Sequence, residues 1–249
     1  MRPDEYGLTY RMEGVHWWYR GMQTITETLL DCYQPGDSWN AILDAGCGTG
    51  GMLTASLSHR GIVTGVDLSP LAMGFCQTRG AQRLARASIL DLPFAAATFD
   101  LVVSFDVLYE DSVPDDRGAI REFARVLREG GVLFLRLPAY DWLRGEHDRV
   151  INTARRYRLR QVVSMLRDNG LEVELASYAN MFLFPFALIK RSLERVIRNP
   201  RPVSDLAFRV GPLNSLFERI LAMEAALIPR FPLPFGLSVL AIARKDSRR

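Results

Sequence analysis

The run Ala41-Ile42-Leu43-Asp44-Ala45-Gly46-Cys47-Gly48-Thr49-Gly50-Gly51 constrains what this chain can fold into more than any other stretch. Ile42 and Leu43 suit a strand buried on both faces, and its terminal acid leads into glycines at alternate positions. Without a Cβ, such residues let backbone pass close to a ligand and take positive φ. Met52-Leu53-Thr54-Ala55-Ser56-Leu57 then favours a helix whose first N–H groups point at whatever lies over the turn. Strand, glycine turn and helix in that order predict an α/β fold that holds a nucleoside on the turn.

A second strand, Gly61-Ile62-Val63-Thr64-Gly65-Val66-Asp67, ends in a carboxylate about twenty residues further on, where nucleotide folds bind ribose hydroxyls. The glycines alone leave two readings open. Gly46, Gly48 and Gly51 satisfy the dinucleotide pattern G-x-G-x-x-G, whereas Asp44 with Gly46, Gly48 and Gly50 satisfies the D-x-G-x-G-x-G pattern of class I S-adenosylmethionine (SAM) methyltransferases.

Four blocks in order favour the second: LDAGCGTGG, VDLSPLAM, SILDLPFAAATFDLVVSFDVLYE and EFARVLREGGVLFLRLP. Over roughly Ala41 to Leu175 the chain resembles the class I SAM-dependent methyltransferases, in their small-molecule branch. The resemblance implies SAM as cofactor. It implies that Asp44, Gly46, Cys47, Gly48 and Gly50 hold the methionine part, Asp67 and Leu68 the ribose, Ser88 and Ile89 the adenine, and that Phe105 closes the crevice. Relatives often carry Asp five residues before the Pro of L-P-F. Here Ser88 stands there, a neutral acceptor, with Asp91 the alternative.

His16-Trp17-Trp18-Tyr19-Arg20 precedes an amphipathic helix from Met22. It reads as an edge of the core or, by resemblance to an H-W-W-Y-R-like block of some methyltransferases, as a cover over the cofactor, with Arg20 on the methionine carboxylate. Gln34-Pro35-Gly36-Asp37 turns the chain into the first strand. Ser69-Pro70 caps a helix to about Arg79. Strands are expected at 83–87, 99–105, 132–137 and 171–178, and helices from Pro114 to Arg128 and from Thr153 to Asn169.

About fifty-five residues then separate the sixth strand from a last one at Leu237–Ala243, where relatives have a short turn. The apolar run Met181–Ile189, breaks at Pro200, Pro202 and Pro212, and a helix over Leu213–Leu227 fill the interval. Such an insertion must be covered by the sheet edge, a substrate, a membrane surface or a second subunit. The fold class expected is therefore α/β: a doubly wound, seven-stranded, mostly parallel sheet with an antiparallel last strand. One domain spans 1–249, with a helical cap (1–40), a core (41–178), a helical insertion (179–234) and the last strand and tail (235–249).

The 249 residues, 48 % of them apolar, suit one large domain. No apolar run reaches the roughly 18 residues of a membrane span, and the acidic N-terminus is not a signal peptide, so the expected location is cytoplasmic. Peripheral membrane contact and a homodimer stay open. Cys32, Cys47 and Cys76 have neither disulfide nor zinc spacing, and no metal is expected. The arginines between Arg144 and Arg167 either face phosphates or form a solvated helix face; no nucleic-acid partner is expected.

Methyl transfer needs a positioned acceptor, and a base only where the acceptor must lose a proton early. His16, Asp106 and Tyr109 are possible bases beside the two selected, His147 and Glu110, and Tyr19, Tyr109 and Phe184 are expected against the substrate. The acceptor expected is a small apolar metabolite: a lipid, an isoprenoid or a polyketide-like compound. A SAM-binding protein without transfer, and a nicotinamide-dependent oxidoreductase, are the alternatives. With Lys only at 190 and 245, the second lacks the tyrosine-lysine pair of short-chain dehydrogenases.

Overall fold

A computed structural model describes residues 3–34, 39–196, 211 and 213–246, with no side-chain description for 194–196. In chain order the elements are α1 (Pro3–Met12), α2 (Trp17–Tyr33), β1 (Trp39–Ala45), α3 (Gly51–Ala55), β2 (Gly61–Asp67), α4 (Pro70–Thr78), β3 (Leu84–Arg86) and β4 (Phe99–Phe105). They continue as α5 (Asp116–Val126), β5 (Leu127–Pro138), α6 (Glu146–Val150), α7 (Leu159–Asp168), β6 (Leu171–Ala179), α8 (Phe184–Val196), α9 (Leu213–Leu227) and β7 (Ser238–Lys245). The expected turn at Pro35–Asp37 and the breaks at Pro200, Pro202 and Pro212 lie outside the described residues.

The strands form one seven-stranded sheet in the order β3-β2-β1-β4-β5-β7-β6. β1 pairs in parallel with β2 and β4, and β5 extends β4 in parallel, whereas β7 runs antiparallel between β5 and β6. The seven-stranded sheet with its antiparallel last strand is thus as expected. Leu101, Val102 and Val103 of β4 and Val132 to Leu135 of β5 are fully buried, which explains why these strands read as continuous apolar runs. On α2, Met22, Ile25 and Leu29 recur at helical spacing and are fully buried against this core. Asp115 caps α5 by accepting from Gly118 N at 2.8 Å, and Ser69 caps α4.

Two helix expectations are corrected. Helix α5 ends at Val126 rather than Arg128, and Leu127 already pairs with Phe99. Thr153 to Arg158 is not helical: Thr153 bridges to Glu110, and Tyr157 N donates to Pro138 O while Tyr157 O accepts from Tyr140 N, each at 2.9 Å. Those backbone partners beyond the sheet satisfy the segment in extended form, so only Leu159–Asp168 is free to coil. Helix α1 lies within the segment read as a helical cap, 1–40.

α9 packs along α2. A Cβ on Gly21 would lie 2.3 Å from Leu221 Cδ1, so the glycine permits the close approach. Asn214 accepts from Trp17 N (2.9 Å) and donates to Val15 O (3.0 Å), and Arg20 pairs with Glu218 at 2.9 Å. The cap and the insertion are thereby joined on one side of the sheet.

Candidate functional site

Strand order reverses between β1 and β4, the place where open α/β sheets leave a crevice. A cavity of about 650 Å³ lies there, running from the glycine turn to the underside of α8 and α9. Its floor is the turn after β1, the ends of β2 and β4, and Ser88 with Ile89; its roof is Tyr6, Thr9, Glu13 and His16 to Tyr19 of the cap.

Gly46 has φ +88°, and a Cβ there would lie 2.2 Å from Val107 Cγ2; Gly48 has φ +54°, with open space where its Cβ would point. The first glycine is required by packing and the second leaves a path for a ligand. Asp67 accepts from Gly48 N and from Ser69 N, each at 2.9 Å, which aims its carboxylate along the turn. Burial raises its pKa against the opposition of these amides.

The end of the cavity at the turn is acidic. Asp44, buried at the end of β1, is pushed up to about 7 by burial, with Asp67 and Glu13 adding to the shift and Arg136 opposing it. Glu13 and Glu110 are also raised, first by burial. Asp44, Asp67 and Glu13 at this end suit a cationic ligand such as a sulfonium with its ammonium group, and would repel the pyrophosphate of a dinucleotide. The donor set therefore fits SAM better than NAD.

Of the residues singled out from the sequence, Tyr19, Asp44, Gly46, Cys47, Gly48, Asp67, Leu68, Ser88, Ile89, Phe105, Tyr109, Glu110 and His147 line this cavity. Ser88 lines it and Asp91 does not, although Ser88 Oγ also accepts from Leu90 N at 3.2 Å. Three do not line it. Gly50 backs onto Cys76 behind the turn. Arg20 is half-exposed on the outer face of α2, held by Glu218. Phe184 is buried in an aromatic cluster with Tyr140, Trp142 and Phe235, while its neighbours Leu183 and Phe186 reach the cavity.

Groups that sequence reasoning missed stand in those places. Arg136, from β5, is buried beside the cavity, donates to Asp106 Oδ2 at 2.6 Å and lies over the rings of Trp18 (5.2 Å) and Phe105 (4.8 Å). Asp106 holds φ +58°, a backbone state Asp tolerates better than most residues. Glu13 accepts from Thr49 Oγ1 (2.5 Å) and from Arg79 (2.7 Å), whose guanidinium also donates to Thr49 O and Tyr10 O, so the cap is fastened to the glycine turn. No local motif marks either residue.

At the other end, Leu143, Ile151, Leu183 and Phe217 give apolar walls around His147 and Arg156, and Asp148 neutralises Arg156 at 2.8 Å. Thr153 lines the same wall, but its hydroxyl oxygen is turned away from the cavity space, buried, with no hydrogen-bond partner among the described residues. His16 accepts from Trp18 N at 3.2 Å as the cap of α2, Asp106 accepts from Arg136, and Glu110 accepts from Ser112 Oγ at 3.3 Å; His147 and Glu110 both line the cavity.

Comparison with known proteins agrees with this geometry. Residues 43–135 match the family described as "Methyltransferase domain". The chain is 37 % identical over 111 residues to the malonyl-[acyl-carrier protein] O-methyltransferase of Enterobacter lignolyticus, covering 44 % of this chain and 43 % of that protein. It is 29 % identical over 160 residues to the 27-O-demethylrifamycin SV methyltransferase of Amycolatopsis mediterranei, covering 58 % of each. It thus spans about half the length of the curated relatives it matches. A chain of the complex between the Haloferax volcanii Trm112 methyltransferase activator and a methyltransferase superposes with a TM-score of 0.63 at 19 % identity, over 99 % of this chain and 96 % of that one. Residues 43–135 are thus similar to the methyltransferase domain, and the sheet around them has the fold of that methyltransferase-complex chain.

Proposed function

We propose that the protein transfers the methyl group of SAM to a small, largely apolar acceptor. The observation that carries this reading is the continuous cavity that joins an acidic glycine turn to an apolar wall. Bound SAM supplies an electrophilic methyl group on a sulfonium. Asp67 accepts from the ribose hydroxyls, Gly48 lets the ligand approach the turn, and Ser88 with Ile89 borders the adenine. Arg136 takes the methionine carboxylate in place of Arg20, its guanidinium held by Asp106 and the two rings.

Leu143, Ile151, Phe186 and Phe217 exclude water from the acceptor. Where the acceptor is a hydroxyl, His147 or Glu110 receives its proton. His147 is the better suited, since an imidazole ordinarily titrates near neutrality. The names of the two curated relatives place the methyl group on oxygen, which supports an oxygen acceptor here.

The test is to incubate purified protein and SAM with a small-molecule extract, following S-adenosylhomocysteine release and products heavier by one methylene. Release with an apolar fraction is expected. Binding of SAM without release in any fraction would make the chain a cofactor-binding protein, and transfer to RNA or protein alone would overturn the acceptor class.

A further inference from the structure

The roof of the cavity carries an outer surface that methyl transfer does not explain. On α8, Phe186, Ile189 and Leu193 recur one turn apart, with 61 %, 61 % and 55 % of their surfaces exposed. On α9, Leu213, Leu216, Met223 and Leu227 form a second exposed row at helical spacing. Phe231, 67 % exposed, continues it beyond the helix. Apolar area of this extent, arranged in stripes, marks a contact with something other than water.

The charges within the stripes identify the occupant. Arg219, exposed, lies between Leu216 and Met223, and Arg230, exposed, follows Leu227 by three residues. The described carboxylates of the two helices are engaged elsewhere. Glu218 pairs with Arg20, and the buried Glu224 accepts from Asn180 N (2.6 Å) and Phe182 N (2.9 Å). A second copy docking by a two-fold axis would set arginine rows against each other. An acidic macromolecule would leave the apolar rows wet. An anionic bilayer satisfies both: apolar side chains enter the acyl boundary while basic ones meet the headgroups. Among the described residues no helix is long and apolar enough to cross a membrane, so the contact is interfacial.

We infer that the α8–α9 face docks on an anionic lipid surface, and that the acceptor enters the cavity from there. The docking stands on the surface itself; the entry route rests on the proposed methyl transfer. Phe186 and Leu213 belong to the exposed rows and also line the cavity, so an apolar acceptor passes from bilayer to site along continuous apolar surface.

The full-length chain is sedimented with vesicles of phosphatidylcholine alone or of equimolar phosphatidylcholine and phosphatidylglycerol, at low and high salt. Binding to the anionic vesicles about tenfold or more tighter is expected, weakening as salt rises. R219E/R230E should erase the preference, and I189S/L193S/L216S/M223S should abolish binding to both vesicles. Both variants should keep the wild-type SAM affinity, which reports an intact fold. A wild-type chain that stays in the supernatant with both vesicles overturns the proposal, as does a quadruple variant that sediments like wild type. A dimer that the quadruple variant splits would assign the face to a second copy and equally overturn it. If the wild type docks on vesicles but binds no SAM, the methyl-transfer reading fails while the docking stands.

Discussion

Asp67 and Gly48 share one hydrogen bond but answer for different parts of ligand binding. Replacing Asp67 with Ala removes a half-buried acceptor, and the expected loss of SAM affinity is on the order of 2 kcal/mol, about thirtyfold in Kd. Calorimetry showing undiminished affinity would refute the ribose role. A Cβ at Gly48 meets open space, so Gly48→Ala should fold at a cost of about 1 kcal/mol for its positive φ while blocking SAM. Asp44 makes a pH prediction. Its folded pKa of about 7 lies above the ordinary 3.8, so its contribution to stability is fully present below about 3.8 and is lost as pH rises through about 7. Asp44→Asn should therefore gain stability relative to wild type from pH 5 to pH 8, in thermal melts without ligand. A flat difference across that window would mean that the carboxyl titrates normally. Thr153→Val, which removes a buried hydroxyl unpaired among the described residues at nearly constant volume, should raise stability by about 1 kcal/mol. A loss of stability would show the hydroxyl to be bonded.

At the scale of elements, the cap matters through its fastening rather than its aromatics alone. Glu13, Thr49 and Arg79 tie α1 and the start of α2 to the glycine turn. Deleting residues 1–20 should leave a folded sheet, because the core face of α2 begins at Met22, and should weaken SAM binding by at least about tenfold. Normal turnover by the truncated chain would reduce the cap to an edge of the core. Strands were easier to read than helices. β1 and β4 are short apolar runs whose period does not matter when both faces are covered. The stretch 153–158 misled because its backbone partners, Glu110 and residues 138–140, lie in other parts of the chain. Arg20 misled for a similar reason: it shares a block with Trp17, Trp18 and Tyr19, but a helix turns about 100° per residue, and only the position of α9 decides that Arg20 meets Glu218.

For the molecule as a whole, SAM bound as proposed, on the glycine turn beneath the cap, should stabilise sheet and cap together. At a hundred times its Kd the expected gain is about 2.7 kcal/mol in one cooperative transition, with no comparable gain from NADH. Protection by NADH and not by SAM would restore the oxidoreductase reading. The order of the blocks from Asp44 to Leu137 determined by itself the sheet, the turn and the pairing of the turn with Asp67, because each depends on a few contiguous residues with characteristic backbone needs. Arg136 and Glu13 became visible only in the tertiary structure. Their value to the site comes from burial and from neighbours distant in sequence: Trp18 for Arg136, Thr49 and Arg79 for Glu13. The insertion divides in the same way. Its apolar composition was legible from Met181 onward, but which side chains line the cavity and which face outward was decided by the packing of α9 on α2, since burial depends on the partner an element meets as much as on its own pattern.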